Sequence, residues 1–506
     1  MTNSPAPNHS RPLDSRLPAR LRVLGLAAII SACVMDLLDS TVVQLAAPSI
    51  RGEIGGSEAS LQWMTAGYTM AMAVALLVGG RLGDMFGRRR VMLVGIAGFT
   101  AASLLCALAW SPESLIGARV LQGAFGATML PQTFGLMREL FPPSEMAKVW
   151  GVFGPVMGLS ALLGPILSGV VIDADILGTG WRAIFLLNLP VGLFALITGA
   201  RCLPKSAATL RGARLDLGGI VFAAVGIFLL VFPLVQGREL GWPLWAKASL
   251  ALSLPVLAAF GLHQVRRKRA ARVTLVEPSV FKKRPYTFGA IVAVAFTAAM
   301  GGTMLILSLL MQVGLGFSPL RASLSTLPWA LGTVIGTIVS GQLMARFGRR
   351  LLHVGLAVMA TGLLALLAVF EIAGTGINSW HFVLPTLLGG IGMGQVFGPL
   401  FDIITAGVDD REVGSASGIL QSVQQVGMSL GIAVLGTIFF GLAETGPVAD
   451  AESHRRAFLD AASATGLITI GLLALAFVLA FLLPKKARAQ QAPESAPVET
   501  RELVDA

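Results

Sequence analysis

The segment Gly80-Arg-Leu-Gly-Asp-Met-Phe-Gly-Arg-Arg89 nearly recurs later in the chain as Gly341-Gln-Leu-Met-Ala-Arg-Phe-Gly-Arg-Arg350. Six of the ten positions are identical, and each copy lies between two long apolar runs. A basic, glycine-containing turn that is used twice between apolar runs indicates that the chain arose by duplication. Duplicated helical bundles in a bilayer are typical of secondary transporters, so the repeat predicts a carrier and argues against an enzyme.

The composition is that of a protein whose surface mostly faces lipid. The chain has 506 residues, of which 55% are hydrophobic and only 13% charged, whereas about a quarter of the residues of a soluble domain are charged. We count fourteen apolar runs of roughly 20 residues, the length that a helix needs to cross about 30 Å of hydrocarbon. The sequence therefore predicts an all-α membrane protein with fourteen transmembrane helices.

The net charge of +11 is a signal of topology and not of nucleic-acid binding. Most of the 38 lysines and arginines lie in segments that fall on the same side of the membrane, including Arg88–Arg90 and Arg266–Arg269. Such a bias marks the cytoplasmic side. It predicts a multi-pass protein of the cell membrane with both termini in the cytoplasm.

The position of the second turn predicts how the chain is divided. Two six-helix halves would place that turn after the eighth run, but it follows the tenth, so one pair of runs is an insertion. The predicted divisions are a cytoplasmic N-terminal tail (1–23), a first six-helix bundle (24–203), an inserted helix pair (217–265), a basic cytoplasmic linker (266–287), a second six-helix bundle (288–483) and a disordered cytoplasmic tail (484–506).

Four charged residues inside the apolar runs are candidates for function, because a charge in hydrocarbon costs at least about 2.5 kcal/mol and persists where it faces a cavity or a partner. Asp36 and Asp39 are three residues apart in the first run and share a helical face; Arg119 lies in the fourth run and Asp402 in the twelfth. A carboxyl that can switch between protonated and ionised states beside Arg119 suits a proton-coupled carrier. The alternatives are a fixed structural ion pair and, for Asp402, a side chain that reaches water at the cytoplasmic end.

The segment Gly80–Arg90 resembles the loop G-x-x-x-D-R-x-G-R-R of the major facilitator superfamily. The resemblance implies a latch that holds the cytoplasmic side shut, in which Asp84 meets the N-terminus of the thirteenth span near Gly414 and Ser415. The residues that it assigns to this latch are Gly80, Asp84, Gly87, Arg88 and, from the second copy, Arg346.

Further motifs resemble those of the fourteen-span drug:proton antiporters (EmrB/QacA type) within that superfamily. They are Leu38–Pro48 in the first run, Arg119–Gly126 in the fourth, Gly164–Gly169 in the fifth, Trp181–Gly192 at the sixth and Gly414–Gly418 in the thirteenth. The resemblance implies proton coupling for Arg119. It also implies an antiporter motif at Gly164, Pro165 and Gly169, where proline weakens the helix and glycines permit close packing.

Aromatic and amide side chains inside the apolar runs are candidates for the substrate path, since apolar cavities with a few polar groups suit amphipathic ligands. These are Trp63, Tyr68, Gln312, Gln424 and Gln425. Anchoring at the lipid interface or hydrogen bonding between helices would explain each of them equally well.

The function predicted from these features is proton-driven export of hydrophobic or cationic drugs, or of an antibiotic, by a monomer that needs no cofactor or metal. An exporter of a lipid, siderophore or amino acid, or an importer, is the alternative with the same fold. A membrane sensor would require a soluble signalling domain, and an enzyme would require a nucleophile–base pair, metal cluster or phosphate-binding loop. Neither pattern is present in the sequence.

Overall fold

A computed structural model describes residues 18–142, 145–175, 178–205, 215–237, 240–270, 272–405, 413–443 and 451–484. Within these ranges every regular element is helical. The α-helices are α1 (Ala19–Ile54), α2 (Glu58–Phe86), α3 (Arg88–Ala107), α4 (Pro112–Leu140), α5 (Met146–Asp173), α6 (Arg182–Leu186), α7 (Asn188–Cys202), α8 (Leu217–Gln236), α9 (Leu244–Arg269), α10 (Arg284–Leu309), α11 (Pro319–Phe347), α12 (Arg349–Ala373), α13 (Ser379–Thr405), α14 (Val413–Ala443) and α15 (Ala451–Ala480). Nearly all of the predicted C-terminal tail (485–506) and most of the predicted N-terminal tail (1–17) lie outside the described residues.

Twelve helical segments of the described chain are long and apolar enough to cross a membrane, with α6 and α7 counted as the single segment Arg182–Cys202. The prediction of an all-helical, multi-pass membrane protein is therefore confirmed. The other two long helices are α4, with 29 residues, and α5, with 28 residues. The number of spans that meet this criterion is thus twelve, two fewer than the sequence predicts.

The two copies of the repeated segment form turns of the same kind. α2 continues to Phe86 and α3 starts at Arg88, so only Gly87, with φ +89°, separates them. Gly348 separates α11 from α12 in the same way, with φ +50°. Glycine adopts a positive φ at little steric cost. The sequence predicts a turn of ten residues, but only one residue separates the helices. The reason is that α2 has 29 residues and continues beyond the roughly 20 residues that span hydrocarbon, so most of the predicted turn is helical.

The helices on either side of the α8–α9 pair pack mainly among themselves. In the first group α1 contacts α4, α5 and α7, α2 contacts α4, and α3 contacts α4 and α7. In the second group α10 contacts α14 and α15, and α13 contacts α11 and α12. The two most extensive seams between the groups are those between α2 and α14 and between α5 and α11, and α1 makes smaller contacts with α10 and α11. Movement of one group against the other must therefore change these two seams.

The α8–α9 pair lies against the α2–α14 seam. Phe232 of α8 places its ring 5.8 Å from that of Trp63 in α2 and 5.4 Å from that of Trp245 in α9. The Thr437 hydroxyl of α14 donates a hydrogen bond of 2.6 Å to the Leu234 carbonyl of α8. One helix of the pair thus contacts both groups.

α9 continues beyond the predicted end of its span at residue 265. It includes Arg266–Arg269, which the sequence assigns to the linker. Cations in the last turn of a helix interact favourably with its unpaired carbonyl groups, so this basic segment favours helix over loop. The connection to α10 accordingly starts four residues later than predicted.

Close packing between α2 and α4 depends on Gly123. A Cβ atom at Gly123 would lie 2.3 Å from the Tyr68 carbonyl oxygen, which is backbone and cannot rotate away. We expect Gly123→Ala to destabilise the protein by about 1–3 kcal/mol through overpacking, measured as a lower midpoint of thermal unfolding in detergent. Gly117 on the same helix has nothing within 4 Å of its Cβ position, so Gly117→Ala is the control. Equal midpoints for the two variants would contradict this packing.

Candidate functional site

A buried ion pair joins α1 to α4. The guanidinium of Arg119 is 0% exposed, Asp39 is 1% exposed, and Arg119 Nη1 donates to Asp39 Oδ2. The same nitrogen donates to Gln122 Oε1 at 2.6 Å, while Arg119 Nε donates to the Met64 carbonyl of α2 at 3.1 Å. Helices α1, α2 and α4 are therefore held together through one arginine.

Two side-chain amides complete the surroundings of Asp39. Gln122 Nε2 donates to Asp39 Oδ1 at 2.8 Å, and Asn188 Nδ2 of α7 donates to the same oxygen at 3.1 Å. Both amides also donate to Ser103 Oγ of α3, at 2.8 and 3.3 Å. Asn188 therefore links α7 directly to the ion pair, and Ser103 links α3 to it through the two amides.

The second acid of α1 has different neighbours. Tyr68 Oη of α2 donates to Asp36 Oδ1 at 2.6 Å, and the Tyr68 ring lies under the Arg119 guanidinium, 4.1 Å from its carbon. In the described residues no cation pairs with Asp36, which is 8% exposed. Gly126 of α4 leaves room for this contact, since a Cβ there would lie 2.7 Å from Asp36 Oδ1.

Sequence reasoning missed Gln122, Asn188 and Ser103, which are all buried around Asp39. Gln122 has a signal, because it lies one helical turn after Arg119 and on the same face. Asn188 has a weaker one. Asn188 lies two residues before Pro190, which lacks the N–H that would bond to the carbonyl four residues earlier. The sixth predicted span accordingly divides into α6 and α7 just before Asn188. Ser103 has no signal in the sequence.

The predicted latch residues lie around the turn between α2 and α3 and near the end of α11: Gly80, Asp84, Gly87, Arg88 and Arg346. Arg88 pairs with Glu139 of α4 at 3.4 Å, and Arg346 is exposed. Asp84 is half-buried on α2. The side chains of Gly414 and Ser415 lie outside the described set, so a contact between them and Asp84 stays a prediction.

The predicted antiporter motif lies on α5 at the seam with α11. Gly164 and Gly169 are buried, and a Cβ at Gly169 would lie 2.6 Å from the Leu320 Cα of α11. Asp173 Oδ2 accepts hydrogen bonds from Ser318 Oγ at 3.0 Å and from the Leu320 N–H at 3.2 Å. The side chain of Pro165 lies outside the described residues. The part of the motif that is described thus forms a close contact between the two groups of helices.

The five residues predicted for the substrate path are spread over two helices, α2 and α14, and a turn. Tyr68 belongs to the Asp36 contact, whereas Trp63 packs on Phe232 of α8. Gln312 lies in a π-helical turn after α10 and donates to Ser308 Oγ at 3.0 Å. Gln424 and Gln425 are half-buried on α14. Only Tyr68 therefore joins the buried acids, and the path through the other four stays a prediction.

The remaining candidates have simpler surroundings. Asp402 is exposed on α13, and its role stays a prediction. Cys33, Cys106 and Cys202 are buried and unpaired. Among the described side chains, no group of three or more His, Cys, Asp or Glu is placed to hold a metal ion.

Residues 28–432 of the chain match the family model described as Major Facilitator Superfamily. The chain is 46% identical over 452 residues to a probable actinorhodin transporter of Streptomyces coelicolor, covering 88% of this chain and 78% of that protein. It is 35% identical over 415 residues to a tetracenomycin C resistance and export protein of Streptomyces glaucescens, covering 82% and 75%. Among solved structures, the fold is similar to that of a D-xylose–proton symporter, with a TM-score of 0.61, 15% identity and coverage of 92% and 99%.

Proposed function

The chain belongs to the Major Facilitator Superfamily, and on that premise we propose that it exports a hydrophobic or cationic antibiotic or drug across the cell membrane in exchange for protons. Membership makes the chain a membrane transporter and not an enzyme. The two relatives described above have names that refer to transport or export of antibiotics. Those names support an antibiotic as the cargo, and the sequence motifs support the fourteen-span drug:proton antiporter subfamily.

The proposed architecture includes α4 and α5 as two further spans, which brings the total to fourteen. Both helices exceed the roughly 20 residues that a span needs, and both pack against helices that are apolar enough to cross. In this arrangement α1–α7 and α10–α15 are the two halves, α8 and α9 are the inserted pair, and both termini are cytoplasmic. The protein acts as a monomer in this proposal.

The observation that carries the proposed coupling is the contrast between the two acids of α1. Protonating Asp39 would discard an ion pair with Arg119 and leave two amide donors facing a neutral carboxyl. Protonating Asp36 breaks no ion pair, because its described partner is the Tyr68 hydroxyl. Asp36 is therefore the proton carrier. The Asp39–Arg119 pair stays intact and holds α1 against α4 beside it.

Tyr68 connects the proton to the movement of the helices. It lies on α2, whose backbone carbonyls accept hydrogen bonds from α14 across the seam: Ser422 donates to Ala73, and Ser429 donates to Ala66 at 3.4 Å. When Asp36 takes up a proton it becomes neutral, and the hydrogen bond that it accepts from the Tyr68 hydroxyl is no longer charge-assisted and weakens. Because Tyr68 and the seam share one rigid helix, protonation at Asp36 biases the seam toward one of its two arrangements.

Inverted membrane vesicles test the proposed function directly. We expect vesicles that contain the protein to accumulate an exported compound from a panel of aromatic antibiotics and cationic dyes when respiration makes their interior acidic. A protonophore should abolish this accumulation, because the proton gradient is the energy source. Vesicles without the protein are the control for passive partition. Accumulation that survives the protonophore would show that export is not driven by protons.

A further inference from the structure

The connection between α9 and α10 contains a segment, Thr274–Lys283, that we call the strap. Gln264 near the end of α9 is 1% exposed and fixes the start of the strap, because its Oε1 accepts from the backbone N–H groups of Leu275 at 2.9 Å and Val276 at 3.4 Å. Its Nε2 donates to Asp216 Oδ2 at 2.8 Å. One amide therefore ties the strap to both helices of the inserted pair.

Asp216 is a strongly held group at the start of α8. It caps the helix by accepting from the Gly219 N–H at 2.9 Å, and it also accepts from His263 Nε2 at 2.8 Å. Burial raises the pKa of this carboxyl, but the hydrogen bonds from His263, Gly219 and Gln264 and the charge of Arg267 outweigh it, so the pKa lies below its ordinary value. The carboxylate is thus ionised near neutral pH, and the strap has a rigid attachment.

Two cations of the linker serve the same attachment. Arg267 lies 3.4 Å from Asp216 Oδ2 and donates from two nitrogens to the Val273 carbonyl, at 3.0 and 2.8 Å. Lys268 pairs with Glu277 inside the strap. These charges are engaged within the protein, so the linker is more than the solvated basic loop that its composition suggests.

The other side of the strap reaches both halves of the transporter. Arg81, nearly two turns before the Gly87 connection of α2, donates from Nε to the Thr274 carbonyl at 3.1 Å. Leu275 and Val280 are buried in one hydrophobic core with Tyr286 of α10 and Leu420 of α14. The strap is thus hydrogen-bonded to the first half and packed into the second.

We infer that the strap is a clasp between the halves, in which Arg81 and Gln264 are positioning residues that limit how far the Arg81 end of α2 separates from the second half. Any movement that opens this end must break the bond from Arg81 to the Thr274 carbonyl or pull the strap out of its core. The inserted pair then has a mechanical purpose, because its Gln264 and Asp216 hold the strap in register. The inference rests on the proposed function in one respect only, namely that the halves move against each other.

Cysteine labelling at the two ends of α2 tests the clasp. The background lacks Cys33, Cys106 and Cys202, and each protein carries one reporter. Leu77→Cys lies one turn before Arg81 and packs against the core that contains the strap, while Gln62→Cys lies at the other end of the seam, against Gly436. We expect Arg81→Gln to raise the rate of N-ethylmaleimide labelling at position 77 at least about tenfold, through loss of a hydrogen bond from a charged donor, and to lower the rate at position 62.

Gln264→Leu should act in the same direction, because it removes the hydrogen bonds that Gln264 accepts from the Leu275 and Val276 N–H groups and the one that it donates to Asp216. Arg272→Gln is the matched control: it removes one positive charge from the same linker, and Arg272 is exposed. If Gln264→Leu fails to fold, Arg81→Gln at a half-buried helix end keeps the test decisive. Rates that equal those of the Arg272→Gln control overturn the clasp. Faster labelling at both reporters also overturns it, because that result means general loosening. The assay needs neither substrate nor proton gradient, so failure of proton-driven export would not be mistaken for failure of the clasp.

Discussion

Asp36→Asn is expected to abolish substrate-dependent proton flux and to reduce uphill export by at least about 100-fold, while substrate binding persists. Asparagine fills the same volume and still accepts the Tyr68 hydrogen bond of 2.6 Å, but it cannot take up a proton. A positioned proton-transfer group contributes about 10²–10⁴-fold in rate, so the loss should be of that order. The measurement is quenching of a pH-gradient dye in liposomes that contain the purified protein.

The matched control for this variant is Asp460→Asn, which makes the same chemical change at an exposed carboxylate of α15. It should leave both the dye response and binding unchanged. Binding is measured separately, by fluorescence titration of an aromatic antibiotic. If Asp36→Asn keeps its substrate-dependent proton flux, Asp36 is not the proton carrier, and the roles proposed for the two acids of α1 are wrong.

Arg119→Leu is expected to have the largest effect on stability. It leaves the Asp39 carboxylate buried at 1% exposure without its cation, and breaking a buried pair from one side costs about 3–5 kcal/mol. The variant should lose most of its folded, monodisperse material in detergent, and what remains should not transport. The double variant Asp39→Asn with Arg119→Leu should regain part of the loss, because it removes the stranded charge.

Arg182→Leu is the control for the ion-pair effect. Arg182 pairs with Glu53, but the two side chains are 27% and 51% exposed, and exposed pairs contribute about 0–1 kcal/mol. The thermal midpoint should therefore fall far less than in Arg119→Leu. If the double variant Asp39→Asn with Arg119→Leu is no more stable than Arg119→Leu alone, the stability loss does not come from an unpaired Asp39 carboxylate, and the structural role assigned to this ion pair is wrong.

The sequence identifies the charged members of the site because an apolar background makes a charge conspicuous. Asp36, Asp39 and Arg119 could be singled out in this way, and the structure places them together. Gln122 and Asn188 carry weaker signals, since amides are tolerated in membrane helices for ordinary packing. Their importance comes from converging on one oxygen of Asp39, which is a property of three dimensions.

The structure of the linker is harder to predict from the sequence than the position of the buried charges. Its many lysines and arginines dominate the composition and suggest a solvated loop, while the few apolar residues among them, such as Leu275 and Val280, carry no periodic pattern. They are nevertheless buried. The sequence also places the ends of α2 and α9 too early. Hydropathy indicates where the lipid ends, but it does not indicate where a helix that continues into water ends.

The wide spacing of the buried polar partners along the chain has a consequence for biogenesis. Arg119 follows Asp39 by 80 residues, and Asn188 follows it by 149. Ribosomes add about 5–20 residues per second, so roughly 4–16 s pass between the synthesis of Asp39 and that of Arg119. An unpaired carboxylate at the bilayer centre is disfavoured by about 2.5–3.5 kcal/mol. We therefore expect α1 to remain at the translocon until α4 has been synthesised and Arg119 can pair with Asp39.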